Sequence, residues 1–173
     1  MMKKLTAVFL LAAVILCAGC IAEERTAQPG DRVFVYYTLS LDDGTVHESN
    51  VGKTPLEFVV GAGQMISGFD AAVSGMKVGE TKKIRLAPSE AYGEITEAMM
   101  QDMKISELQE SLGEIPAEGE ILTVTVQTDA GYQQMYAKVM KVDNEAGIVS
   151  LAFMRMPLVG EYLTFEITLD SIV

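Results

Sequence analysis

Five aromatic side chains, Tyr37, Phe58, Phe69, Tyr92 and Phe165, fall on five separate segments of this chain. Aromatic residues make up only 7% of its 173 residues, so their placement is informative. The plain reading of such a set is hydrophobic core. Two of the five are tyrosines, however, and a phenolic oxygen wants a partner or an opening, which suits a lined cleft. Chemistry there would have to come from shape and polarity, because the usual catalytic groupings are missing. There is no Gly-x-Ser-x-Gly elbow and no acid–histidine–serine set. His47 is the single histidine, and no zinc-ligand spacing occurs. Gly61-Ala62-Gly63 with Gly68 approaches a dinucleotide loop, but Ile66 stands where the third glycine is required, which leaves a tight strand-to-helix turn. Asp42, Asp43 and Glu48 could be imagined as paired carboxylates; Asp42-Asp43 ahead of Gly44 is more simply turn chemistry.

The elements that must position these residues are legible as periodicities. Asp31 to Leu39 is rich in β-branched and aromatic residues and predicts a strand, with a turn at Asp42-Asp43-Gly44 and a second strand at Pro55 to Val60. Ile66, Phe69, Val73 and Met76 recur at spacings of three and four, which predicts a short helix over Met65 to Met76. Thr81 to Leu86 alternates as a strand. After Tyr92-Gly93 the character changes. Glu94 to Gly119 is acidic and methionine-rich, with Ser106 and Gln109 as a candidate capping box for a helix through Leu112. Strands are predicted at Ile121–Thr128, Tyr132–Val142 and Ile148–Phe153, with hairpin turns at 129–131 and 143–147, and the closing strand runs from Tyr162 to Val173. The segment after Gly93 therefore reads as a unit inserted into a sheet domain.

The first twenty residues read as an export signal: Met1-Met2-Lys3-Lys4, an apolar run to Cys17, then small residues before Cys20. Cys17-Ala18-Gly19-Cys20 resembles a lipobox, which would make Cys20 the lipidated first residue of the mature protein. An uncleaved anchor over Leu5 to Ala22, or plain cleavage after Ala22, remain open readings. All three place the folded part outside the cytoplasmic membrane. Cys17 and Cys20 are the only cysteines, so no internal disulfide is expected in the folded part. Loss of Lys3 and Lys4 with the signal takes the net charge from −11 to −13. Such an acidic chain repels nucleic acid, which argues against nucleic-acid binding.

Several motifs then fall in order: Asp43-Gly44 with Glu48-Ser49, Pro55 to Gly61, Ile66-Ser67-Gly68-Phe69, Gly75 to Glu80, and Ala91-Tyr92-Gly93. Together they resemble the FKBP-type peptidyl-prolyl isomerases over Gly30 to Gly93, and again over Leu158 to Leu169. The long segment after Gly93 is most similar to the SlyD-like branch, in which a chaperone domain is inserted in the flap over the active site. The resemblance implies an α+β fold: an antiparallel sheet wrapped around a short helix, with a second small, mostly-β insert-in-flap domain. It divides the chain into a lipoprotein-type signal (1–19), a tether (20–29), a catalytic domain (30–93 plus 158–173) and an insert (94–157).

The same resemblance implies a prolyl pocket formed by Tyr37, Phe58, Met65, Ile66, Phe69, Tyr92 and Phe165, with Phe69 as floor and the Ile66 N–H and the Tyr92 hydroxyl offered to the substrate. Glu48 keeps a carboxylate where the family often has Phe-Asp and this chain has His47-Glu48. A second departure is Met154 to Gly160, which stands where SlyD-like relatives usually carry Asn-His-Pro-Leu-Ala-Gly. The implied reaction is cis–trans isomerisation of X–Pro bonds in unfolded or partly folded polypeptides. No cofactor or metal is expected, and the protein is expected to be a monomer held to the outer face of the cell membrane by its lipid. Seven of the eleven methionines lie in the insert. Methionine suits surfaces that accept many shapes, and Met99, Met100 and Met103 are expected to be exposed and to hold client chains. The alternative is a membrane-tethered peptide-binding chaperone module without catalysis.

Overall fold

The structure, a computed structural model, describes residues 25–128 and 131–173. Strands β1 (Arg32–Leu41), β2 (Val46–Ser49), β3 (Leu56–Val59), β4 (Thr81–Leu86) and β9 (Leu163–Ile172) form one antiparallel sheet in the order β2-β1-β9-β4. The long β1 pairs with β9 along one edge. Its other edge is shared: Arg32–Val35 pair with β3 and Thr38–Ser40 with β2. Alternation decides which face is apolar. In β9, Leu163, Phe165, Ile167 and Leu169 are buried while Glu166 and Asp170 are exposed. Val33, Val35 and Leu39 of β1 point into the same core, which the helix α1 (Ser67–Val73) closes with Phe69 and Val73.

The helix is shorter than its periodicity predicts. Ile66 is extended at ψ 144° and Ser74 turns out at ψ 128°, so of the four striped residues only Phe69 and Val73 are helical. Met65 and Ile66 instead belong to the loop before the helix, and Met76 is buried in the turn after it. Gly68 has a packing role: a Cβ there would run into the Leu86 side chain of β4.

A second antiparallel sheet, in the order β5-β8-β7-β6, is built from β5 (Met100–Lys104), β6 (Ile121–Thr128), β7 (Gly131–Asp143) and β8 (Ile148–Met154). Helix α2 (Ile105–Leu112) lies on it, and Leu108, Ala137, Val139, Val149 and Leu151 make a core separate from the first. The fold is thus α+β, two antiparallel sheets each with one short helix. Three expectations are corrected here. The stretch around Met100, where no strand is predicted, is a strand paired with β8. The Ser106–Gln109 capping box does not form, because α2 starts two residues earlier, with Lys104 in place of Ser106 as its N-cap and no side-chain cap. Residues 25–29 are docked and not a free tether: Ala27 is fully buried and exchanges backbone hydrogen bonds with Gly75 and Met76. The predicted turn residues 129 and 130, together with Cys20 and the signal segment, lie outside the described residues.

Candidate active site

Inward alternation brings Tyr37 from β1 and Phe165 from β9 onto one face, where α1 sets Phe69 between them. The Phe69 ring lies 5.7 Å from Tyr37, 5.2 Å from Phe165 and 5.9 Å from Phe58, the first two edge to face. Such pairs contribute about 0.5–1.5 kcal/mol each beyond their burial, so Phe69 is held stiffly. Tyr37 is also fixed through its backbone. In the gap where β2 ends and β3 has not begun, Asn50 accepts the Tyr37 N–H with Oδ1 (2.7 Å) and donates Nδ2 to the Val35 carbonyl (3.1 Å). Tyr92 follows a 3₁₀ turn, Pro88–Glu90, whose Pro88 is buried. The Gly93 N–H closes on the Pro88 carbonyl, and the Ser67 hydroxyl at the head of α1 donates to the Glu90 carbonyl (3.2 Å).

These elements enclose a cavity of about 250 Å³ lined by Tyr37, Leu56, Gln64, Met65, Ile66, Phe69, Tyr92 and Phe165. Six of the residues anticipated for a prolyl pocket are therefore brought together. Two are not among its walls. Phe58 is buried and packs behind Phe69, because its pairing with Val33 sets it deeper along β1 than Leu56, which takes the wall position. Glu48 is exposed on β2 and does not line the cavity; its carboxylate acts on the site through its negative charge, which helps to raise the Tyr37 phenol. Leu56 and Gln64 were not anticipated. Leu56 shares the inward phase of β3 with Phe58, a signal present in the alternation; nothing in the pattern singles out Gln64.

Both tyrosine hydroxyls are held in their neutral form. Burial, then the Glu48 carboxylate, pushes Tyr37 up to about 12. Tyr92 is raised by the same two causes in the same order. The Ile66 N–H has no hydrogen-bond partner among the described residues, since its carbonyl alone is used, by Phe69 and Asp70. The cavity thus offers aromatic walls, neutral hydroxyls and one unengaged backbone donor. No group of three or more His, Cys, Asp or Glu among the described residues is placed to hold a metal ion.

His47 faces elsewhere. It lines a cleft of about 390 Å³ between the β1–β2 hairpin and the insert, with Asp42, Asp43, Lys138, Leu158 and Glu161 among its neighbours. A larger concavity, about 480 Å³, lies wholly in the insert between α2 and its sheet, and is lined mainly by apolar residues that include Met103, Leu112, Val126, Met135 and Phe153. Of the three methionines expected to be exposed, only Met100 is. Met99 is half-buried, and Met103 packs against the second core because it pairs with Val149 of β8.

The family model for FKBP-type peptidyl-prolyl cis-trans isomerases matches residues 23–109, half of the chain. The chain belongs to the FKBP family. It is 45% identical over 70 residues to FK506-binding protein 2 of Yarrowia lipolytica, covering 40% of this chain and 49% of that one. It is 47% identical over 70 residues to the peptidyl-prolyl cis-trans isomerase FPR2 of Saccharomyces cerevisiae, covering 39% and 52%. This FKBP chain therefore spans about half the length of these curated relatives. A protein of Pseudomonas fluorescens named "Probable FKBP-type 16 kDa peptidyl-prolyl cis-trans isomerase" is 28% identical over 152 residues, covering 88% of this chain and 95% of that one. A crystal structure of the three FKBP domains of wheat FKBP73 aligns over 86% of this chain and 41% of that one, at 20% identity and a TM-score of 0.47.

Proposed function

We propose that this FKBP-family chain is a peptidyl-prolyl cis-trans isomerase acting on X–Pro bonds of unfolded or partly folded polypeptides. The observation that carries this reading is the aromatic cavity floored by Phe69, with the Tyr37 and Tyr92 hydroxyls and the free Ile66 N–H around it. Amide resonance opposes rotation about X–Pro with a barrier of about 18–20 kcal/mol. Twisting removes that resonance and leaves a less polar amide, which an apolar cavity favours over the planar one. Donors fixed at the rim hold the carbonyl while the proline ring sits on Phe69. This is stronger binding of the transition state than of the ground state, and it needs no acid or base. The names of the relatives support the same activity. Isomerisation of a short prolyl peptide tests it: wild type should accelerate it and Phe69→Leu should lose most of the effect. Equal rates for both proteins would sink the pocket assignment.

The reading extends to the insert, as a SlyD-like flap domain that holds client chains. The near full-length match with the Pseudomonas fluorescens protein supports a shared two-part layout. The apolar concavity beside α2, with Met103 and Met135 in its wall, is the better candidate for client contact than Met99 or Met100. Suppression of aggregation of a reduced, unfolded client should weaken in Val126→Asp; undiminished suppression counts against a holdase role for that concavity. The export signal and the lipid on Cys20 belong to the same proposal, supported by the Cys17-Ala18-Gly19-Cys20 tetrad, and mass spectrometry of the mature N-terminus decides them.

A further inference from the structure

Gln64 borders the aromatic cavity, yet its amide is committed to the backbone: Oε1 accepts the Val59 N–H at 2.8 Å. Val59 ends β3, so this one bond spans the reversal that leads from the sheet to Met65 and Ile66. The amide orientation follows from the partner, because only the oxygen can accept an N–H. At the near end of the same loop, both carboxylate oxygens of Asp70 accept the Gly61 N–H, at 2.9 and 3.0 Å. Between these ties the chain has little stiffness of its own. Gly61 and Gly63 sit at φ +76° and +69°, and no strand ladder covers the loop. Glycines of this kind are free to move unless something else fixes them.

We propose that Gln64 is a positioning residue for prolyl substrates. Its bond to Val59 holds Met65 and Ile66 where the unengaged Ile66 N–H can receive a substrate carbonyl. The inference rests on the isomerase reading and deepens it. Without the bond the loop samples arrangements in which that donor is misplaced, and affinity falls with the fraction still competent. The contact to Ile66 is made by planar and twisted amide alike, so its loss is uniform and belongs in KM and not in kcat. Gln64 is exposed, so water replaces the lost partner of Val59 and global stability changes little.

The experiment compares wild type, Gln64→Met and Gln64→Glu on a short prolyl peptide, with thermal melts and amide exchange at Val59. Met removes the acceptor and Glu retains it. For Gln64→Met, KM should rise about three- to tenfold, the size of one net hydrogen bond, with kcat and melting temperature nearly unchanged. The Val59 amide should exchange faster, and Gln64→Glu should restore both readouts. An active wild type matched in KM by Gln64→Met overturns the inference alone. A fall in kcat that tracks the melting temperature, without rescue by Glu, marks a merely structural role and overturns it too. A wild type that leaves the peptide rate unchanged removes the isomerase reading, and this inference with it.

Discussion

Gly160 donates its N–H to the carbonyl of Gly93 at 2.9 Å, joining the point where the chain leaves the first sheet domain to the point where it returns. Gly160 has φ +79°, and a Cβ there would lie 2.7 and 2.8 Å from Cγ1 and Cδ1 of Ile95. Gly160→Ala should therefore cost about 1–2 kcal/mol from its backbone conformation, before the clash is counted. Urea unfolding measures this, and adding Ile95→Ala should recover only the steric part. Full recovery in the double variant would mean that the backbone conformation carries no strain.

Lys138 of β7 and Glu161 of the return segment form an ion pair across the same junction, with side chains only 19% and 26% exposed. Replacing one partner strands the other in a half-buried site. Glu161→Gln should destabilise by about 1–3 kcal/mol, whereas Lys138→Met with Glu161→Leu should cost less than either single change. Denaturation midpoints of Glu161→Gln, the two singles and the double check the order. A double variant as unstable as the sum of the singles would contradict it.

Tyr37 supplies a pH signature. The unfolded phenol ionises near 10, and the folded one near 12. Its contribution to stability is therefore complete below pH 10 and is lost as pH rises through 12. Burial is the first cause and Glu48 the second, so Glu48→Gln should bring the transition down without returning it to 10. Ultraviolet difference titration of wild type against Tyr37→Phe isolates this phenol; ionisation near 10 in the folded protein would refute the environment described.

Deleting residues 97–154 separates the two proposed activities. An isomerase cavity made wholly of residues before Gly93 and after Gly160 should keep most of its rate on a short prolyl peptide, and lose its advantage on an unfolded protein chain. Loss of the peptide activity in a variant shown to be folded would place part of the catalytic machinery in the insert.

Which faces are apolar can be read from the chain alone. Period-two alternation marks β4, β6 and β9 within a residue or so of their ends, because burial on one side of a sheet leaves that pattern in the chain. It also placed Tyr37, Phe69, Tyr92 and Phe165 at one site, through motifs spaced as in the FKBP family. Tertiary structure decided what depends on depth and partner. Phe58 and Leu56 share a phase on β3, and only their register against Val33 and Val35 tells the core residue from the wall residue. His47 and Glu48 are neighbours in sequence, but successive residues of a strand point to opposite faces, so one faces the junction cleft and the other the Tyr37 hydroxyl. Met103 is polar-flanked in sequence and lies against an apolar core because β5 adds to β8, a pairing no local pattern announces. Gln64 is silent in the sequence for the same reason: its meaning lies in one hydrogen bond across a turn, and that bond exists only once β3 and the loop have folded together.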